Sequence, residues 1–217
     1  MLLDWSVSTV QALLGLKSLI IFQGPGSWRR EARWDEYVVQ LHNLGQAPLR
    51  IESAELVDVL GQVQKPGIDP WKLEDQSSTN WQKYGKSGLN TLIGTGGAVL
   101  AYAASTGLTA TTGFMMTGGG SALKVAGAAI TVVFIAEVGA VDIMDEMNRD
   151  KVQAEFARRR IALPQPLAPA ASVSGSLFFP LTPGPRRLIV RGSCSGAPMV
   201  ISLELSQLGE LHLAPKR

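Results

Sequence analysis

From Ser87 to Leu123 the chain runs for 37 residues without a charged side chain, and nearly every residue there is Gly, Ala, Thr, Ser or a small apolar. After Lys124 a second uncharged run, Val125–Ala136, ends at Glu137. This window constrains the chain more than any other, because few folds keep so long an uncharged stretch in water. Its pattern reads as two small-residue helices joined by the loop Thr117-Gly118-Gly119-Gly120-Ser121. Gly97, Ala101 and Ser105 stand four apart in the first, and Ala122/Ala126 and Ala136/Ala140 four apart in the second. Small residues at i and i+4 leave a groove into which another helix backbone fits closely. These seven are the candidate helix-packing positions.

A bilayer-spanning helix needs about 20 mainly apolar residues. Leu89–Ala110 is long enough but dilute, since Gly and Thr contribute little. Val125–Val141 holds eight strongly apolar residues. Each contributes roughly −0.3 to −0.6 kcal/mol, against roughly +2.5 to +3.5 for a central charge. Glu137 lies off-centre, so its cost is smaller, and an ionisable group within an apolar helix marks a functional position if that helix lies in lipid. The two spans are marginal singly and stronger as a packed pair. The alternative is a hairpin that stays in water as an oligomer interface. Lys83 and Lys86 precede the window, and Arg149, Lys151 and Arg158–Arg160 follow it. By the positive-inside rule both ends would face the cytoplasm, whereas on the periplasmic side the same charges would rest on anionic head groups.

The flanks have another period. Glu36–Asn43 places Tyr37, Val39 and Leu41 on one face; Leu49–Val59 resumes the alternation after the turn Asn43–Pro48. Val173–Phe179, Arg187–Arg191 and Met199–Leu205 follow the window, separated by Pro180–Pro185 and Gly192–Pro198, and Ser18–Phe22 is a short apolar run near the start. Period-two alternation with turn residues at such spacing predicts antiparallel strands. Pro66-Gly67 and Asp69-Pro70 predict an irregular loop carrying Trp71. Neither strand group closes a core alone, so the two are expected to pair around the insertion. The expected fold is mainly β: an antiparallel β-sandwich (1–78 plus 161–217) with an inserted α-helical hairpin (79–160) and a polar helix exit.

Composition excludes several function classes. Apolar residues make up 46% and charged residues 18% of the 217 residues, with a net charge of +2. That balance, without a basic stripe interleaved with aromatics, argues against nucleic acid as a partner. Arg29–Arg33 and Arg158–Arg160 read as solvated or membrane-flanking charge. A single cysteine, Cys194, excludes an intrachain disulfide and a cysteine-based zinc site. Gly192-Ser193-Cys194-Ser195-Gly196 has the spacing of a nucleophile elbow, but a strand follows where the elbow needs a helix. The segment therefore reads as a hairpin turn with an exposed thiol. Gly85-Lys86-Ser87 lacks the upstream glycine and leading strand of a phosphate loop, and Gly94–Gly97 suits helix packing better. His42, His212 and the pair Asp142/Glu146 do not assemble a metal ligand set. No catalytic residue, metal or cofactor is expected. Trp28, Trp34, Trp71 and Trp81 are candidate contact residues, at least two of them expected in the core.

Gly24–Val39 and Gly175–Pro185, in that order around the hydrophobic window, resemble uncharacterised proteobacterial envelope proteins, often lipoprotein-like. Those combine an immunoglobulin-like β-sandwich with a Gly/Ala-rich hydrophobic hairpin. The resemblance implies a non-enzymatic, membrane-associated protein of the cell envelope with a binding or assembly role. Membrane lipid, a second copy or another envelope protein would be its partners, and the periplasmic face its side. It supplies no catalytic residue to carry over. The chain departs from the lipoprotein pattern at its start, where Met1–Ser8 carries only Asp4 and no cysteine precedes Ser18. Neither a basic opening nor a lipid acceptor is present there.

Overall fold

The computed structural model describes residues 2–21, 27–29, 32–87, 89, 91 and 149–213. The strands are β1 (Leu2–Ser8), β2 (Ala12–Ile20), β3 (Trp34–Asn43), β4 (Leu49–Val57), β5 (Val63–Gln64), β6 (Gln165–Leu167), β7 (Ser172–Pro180), β8 (Arg187–Cys194) and β9 (Ala197–Glu204). Helix α1 (Pro70–Lys86) precedes the uncharged window and α2 (Arg149–Arg159) follows it.

The strands form two antiparallel sheets, making the protein mainly β. One has the order β1-β2-β3-β7; the other runs β5-β4-β8-β9, with β6 also on β4. Strands on either side of the window are hydrogen-bonded neighbours: β3 pairs with β7 from Trp34↔Pro180 to His42↔Ser172, and β4 pairs with β8 and β6. The first strand group thus finds its partners in the second, as the strand count required.

Alternation places the core. Tyr37, Val39 and Leu41 of β3 point inward with Leu14 and Leu16 of β2 and Leu177 and Phe179 of β7. They meet Leu49, Ile51 and Leu56 of β4, Leu188 and Val190 of β8, and Ile201 and Leu203 of β9. Each such side chain, once fully buried, contributes about 1.5–3 kcal/mol. Lys17, which interrupts the apolar run of β2, is the extra residue of a bulge between Leu16↔Val39 and Ser18↔Val38. An insertion of this kind re-aims one side chain without breaking the inward alternation on either side.

Three expectations need correction. The start of the chain forms a hairpin, β1–β2, and not only a short run at Ser18–Phe22. Its three-residue loop is closed by Thr9, whose Oγ1 accepts the Ala12 N–H at 3.1 Å. The loop expected around Asp69-Pro70 is instead the start of α1. Asp69 is the N-cap, accepting from the N–H groups of Trp71 and Lys72, and Pro70 takes the first turn. A missing N–H costs nothing at that position. Helix α1 runs through the expected boundary at 78/79 and buries Pro70, Leu73, Ser77 and Tyr84. Finally, β8 continues to Cys194, so the turn beyond it is only Ser195-Gly196, with φ of 51° and 83°. Two successive left-handed residues match the twist of a two-residue hairpin.

Both helices add a layer outside the first sheet. Trp34 of β3 and Phe178 of β7 face away from the main core and meet Leu73 of α1, Val152 and Phe156 of α2, and Trp28 and Ala32. This second cluster is separate from the core between the sheets. All four connections 9–11, 44–48, 168–171 and 195–196 lie at one end of the two-sheet body, where Ala12 faces Asn43 and Leu49 faces Cys194. The opposite end holds the start of β3, the end of β4 and the start of β8.

Candidate functional site

The helix-packing candidates Gly97, Ala101, Ser105, Ala122, Ala126, Ala136 and Ala140 lie outside the described residues, as does the ionisable candidate Glu137. Asp142 and Glu146 lie there too. Among the described residues lies the place where α1 and α2 are fastened to the first sheet, on either side of the window.

Its aromatic part is built on Phe156, which stacks on Phe178 at 4.1 Å between ring centroids, while Trp34 stands edge-on to both. Guanidinium groups line the same rings. Arg29 lies 4.4 Å from the Trp71 centroid and 5.5 Å from that of Trp34, Arg149 lies 4.6 Å from Trp71, and Arg159 lies 5.5 Å from Trp28. Each contact is worth about 0.5–2 kcal/mol, more where water is excluded. Arg149, the first described residue after the window, is thereby tied to the first turn of α1. Arg29 also pairs with Glu74 at 2.9 Å and is buried. This corrects the reading of Arg29–Arg33 as a solvated cluster: Arg29 is part of the helix–sheet core, whereas Arg33 is exposed and reaches Ser78.

At the centre of the polar part is Glu36 on β3, which is 2% exposed. It accepts from Trp28 Nε1–H at 3.0 Å and Ser176 Oγ–H at 2.5 Å, and Arg159 lies 3.5 Å away. A buried carboxylate is tolerable only with such partners, and removing one of them is strongly destabilising. The pairing joins β3, β7, the Trp28 segment and α2 at one point. Arg158 and Arg159 both donate to Glu155. These bonds, Arg158's first, hold its carboxyl down at about 2. Of the expected solvated trio, only Arg158 is fully on the surface.

A second polar contact closes the far end of the body. After β9 the chain folds back through a 3-10 turn, Ser206–Leu208, and buries Leu205, Leu208 and Leu211 in the main core. His212, at φ 58°, sets its Nε2 2.8 Å from Asp35 Oδ2, with both side chains buried. Trp81 of α1 stands edge-on to the His212 ring. Thr91, beyond the end of α1, bridges to Leu213. The tail therefore touches β3, α1 and the start of the uncharged window together. Nearby, Tyr37 is wholly buried; burial first, and the Asp35 charge second, push its hydroxyl well above the usual range.

The arrangement does not make a nucleophile–base pair. Cys194 is buried at the turn end of the body, so the expected exposed thiol is corrected. Asp35 and His212 sit at the other end. Eight strand positions separate Asp35 from Asn43, which at about 3.3 Å each is on the order of 25 Å. With β9 following its two-residue turn, the segment lacks the helix of an elbow. His42 lies on β3 and His212 bonds Asp35; among the described residues no three metal-ligating side chains cluster. Among those residues, too, no helix is long and apolar enough to cross a membrane. Trp28 and Trp34 are core residues, as expected of at least two tryptophans, and Trp71 and Trp81 are half-buried.

Sequence reasoning missed Asp35, Glu36 and Arg29 as the polar anchors. The available signal was the run of two acids opening an alternating strand, where one must face the core and the other the outer layer. Comparison with protein-family models, with curated proteins and with solved structures finds no match to this chain.

Proposed function

We propose that the chain is a non-enzymatic, membrane-associated protein of the bacterial cell envelope, akin to the proteobacterial lipoprotein-like group. In this reading an immunoglobulin-like sandwich carries an inserted Gly/Ala-rich helical hairpin, 79–160, that contacts membrane lipid, and the sandwich acts in binding or assembly on the periplasmic side. One observation carries it: 37 successive residues without charge, from Ser87 to Leu123. The fastening of both flanking helices to one sheet supports it. Arg149 on Trp71 and Phe156 on Phe178 hold the return of the window against the same body that α1 leaves.

Carbonate extraction of membranes from cells expressing the full chain tests this. The expected result is retention of the chain in the pellet. Release into the supernatant with a discrete oligomer in solution would instead establish the hairpin as a water-soluble association surface.

A further inference from the structure

The two ends of the two-sheet body differ in chemistry. The four connections at one end, 9–11, 44–48, 168–171 and 195–196, carry no charged residue. At the other, Lys65, Lys83, Lys86 and Arg186 are exposed. Contacts place these four together. Asp58, in the turn after β4, accepts from Tyr84 Oη–H at 2.6 Å, and Gln64 Nε2 lies 3.3 Å from the same oxygen. The last turn of α1, with Lys83 and Lys86, thus packs on the β4–β5 turn, and Lys65 follows Gln64 directly. Arg186 N–H donates to Val57 O at the end of β4.

Among the described side chains, acids do not balance this end. Asp58 is buried and committed, its Oδ1 accepting from Leu60 and Gln62 N–H. Glu204 pairs with Arg187 at 3.5 Å, and Glu210 is the exposed carboxylate among the described residues of the tail. Between the basic residues two apolar side chains stand in solvent, Leu60 at 43% and Val63 at 52% exposure. Apolar side chains protruding among lysines are the composition of a surface that enters the head-group layer of a bilayer. The chain also passes into the uncharged window here, at Ser87 and at Thr91, which bridges to Leu213.

We infer that this end, with Leu60 and Val63 as the apolar contacts and Lys65, Lys83, Lys86 and Arg186 as the charged ones, docks on an anionic lipid surface. The inference rests on the membrane reading above and adds which face of the body meets the bilayer and with what lipid chemistry. The uncharged turn end, with Val10 93% exposed, then points away from the membrane.

The test uses the full chain with a bimane dye at Val63→Cys or at Val10→Cys. Cys194 is left in place, because it is buried and the unsubstituted chain serves as the blank. Labelled chains are mixed with phosphatidylcholine–phosphatidylglycerol vesicles carrying a head-group-level nitroxide quencher, floated, and then washed with carbonate. Dye at residue 63 is expected to be quenched at least about twofold more than dye at residue 10. Replacing Lys65, Lys83 and Lys86 together by Gln should lower vesicle binding, or the excess quenching where the chain stays bound, on the order of 100-fold or to background. Equal quenching at the two sites, greater quenching at residue 10, or an excess indifferent to the triple substitution would overturn the inference. Those results with carbonate-resistant flotation leave the hairpin reading standing. Excess quenching in a chain that carbonate strips would support the docking face and refute insertion, while failure to float overturns both.

Discussion

Phe156→Ala should detach the helix layer and leave the two-sheet body folded. Phe156 is fully buried, stacked on Phe178 at 4.1 Å and edge-on to Trp34 at 5.7 Å. Truncating such a ring costs about 3–5 kcal/mol. Among its described residues helix α2 buries one other side chain, Val152, worth about 1.5–3 kcal/mol. Among the described residues, Val152, the contacts of Arg159 with Glu36 and Trp28, and the Arg149–Trp71 contact then hold it. The loss therefore falls mainly on α2, because Phe156 belongs to the outer cluster and not to the core between the sheets. In native-state hydrogen exchange, amides of 152–159 should lose roughly two to four powers of ten in protection. Amides of β4, β8 and β9 should keep theirs. Leu188→Ala, in the main core, should by contrast lower every strand by about 2–5 kcal/mol. If Phe156→Ala reduced protection in β8 as much as in α2, the layers would unfold as one unit and the two-cluster reasoning would be wrong. Unchanged exchange in α2 would refute it equally.

Three further outcomes follow from single residues. Asn43 is wholly buried and donates to the carbonyls of Ala47, Leu167 and Ala168 while accepting from Gly45 N–H. Asn43→Ala should destabilise by about 2–4 kcal/mol in urea denaturation, since groups bonded by one side chain lose their partner together; a change below about 1 kcal/mol would show that water replaces it. Glu155, held at about 2 in the fold, contributes stability that is present above the ordinary carboxylate range and is lost as pH falls from about 4 to 2. Because it is near the surface, Glu155→Gln should cost only about 0.3–1 kcal/mol at pH 7, and melting curves of the two chains should converge near pH 2. Ser195→Asn should raise stability by a few tenths of a kcal/mol, as Asn-Gly suits the left-handed turn better than Ser-Gly; a lower melting temperature would contradict that turn assignment.

The sequence disclosed what depends on local periodicity. The inward set Tyr37, Val39 and Leu41 is legible because a half-buried strand must alternate, and β4, β8 and β9 follow the same logic. Helix α1 was hidden because Asp69-Pro70 serves equally as a turn and as a capped helix start, and only the spacing of Leu73, Ser77 and Tyr84 separates the two. Burial of Arg29 was not legible, because the rings that cover it, Trp34 and Trp71, come from different elements. The Asp35–His212 contact joins residues 177 apart in sequence, a separation at which no local pattern operates. The thiol of Cys194 was misread for a related reason: a turn of two residues leaves its neighbour inside the strand, facing the core.

The pairing of β3 with β7 also sets an order of events during synthesis. Strand β3 ends at Asn43 and its partner begins at Ser172. At a translation rate of roughly 5–20 residues per second the wait between them is on the order of 10 s. Throughout that interval Tyr37, Val39 and Leu41 lack the strand that shields them, and the whole uncharged window leaves the ribosome before either sheet can close. The window therefore meets its surroundings first, and the body that fastens its two ends assembles around the result.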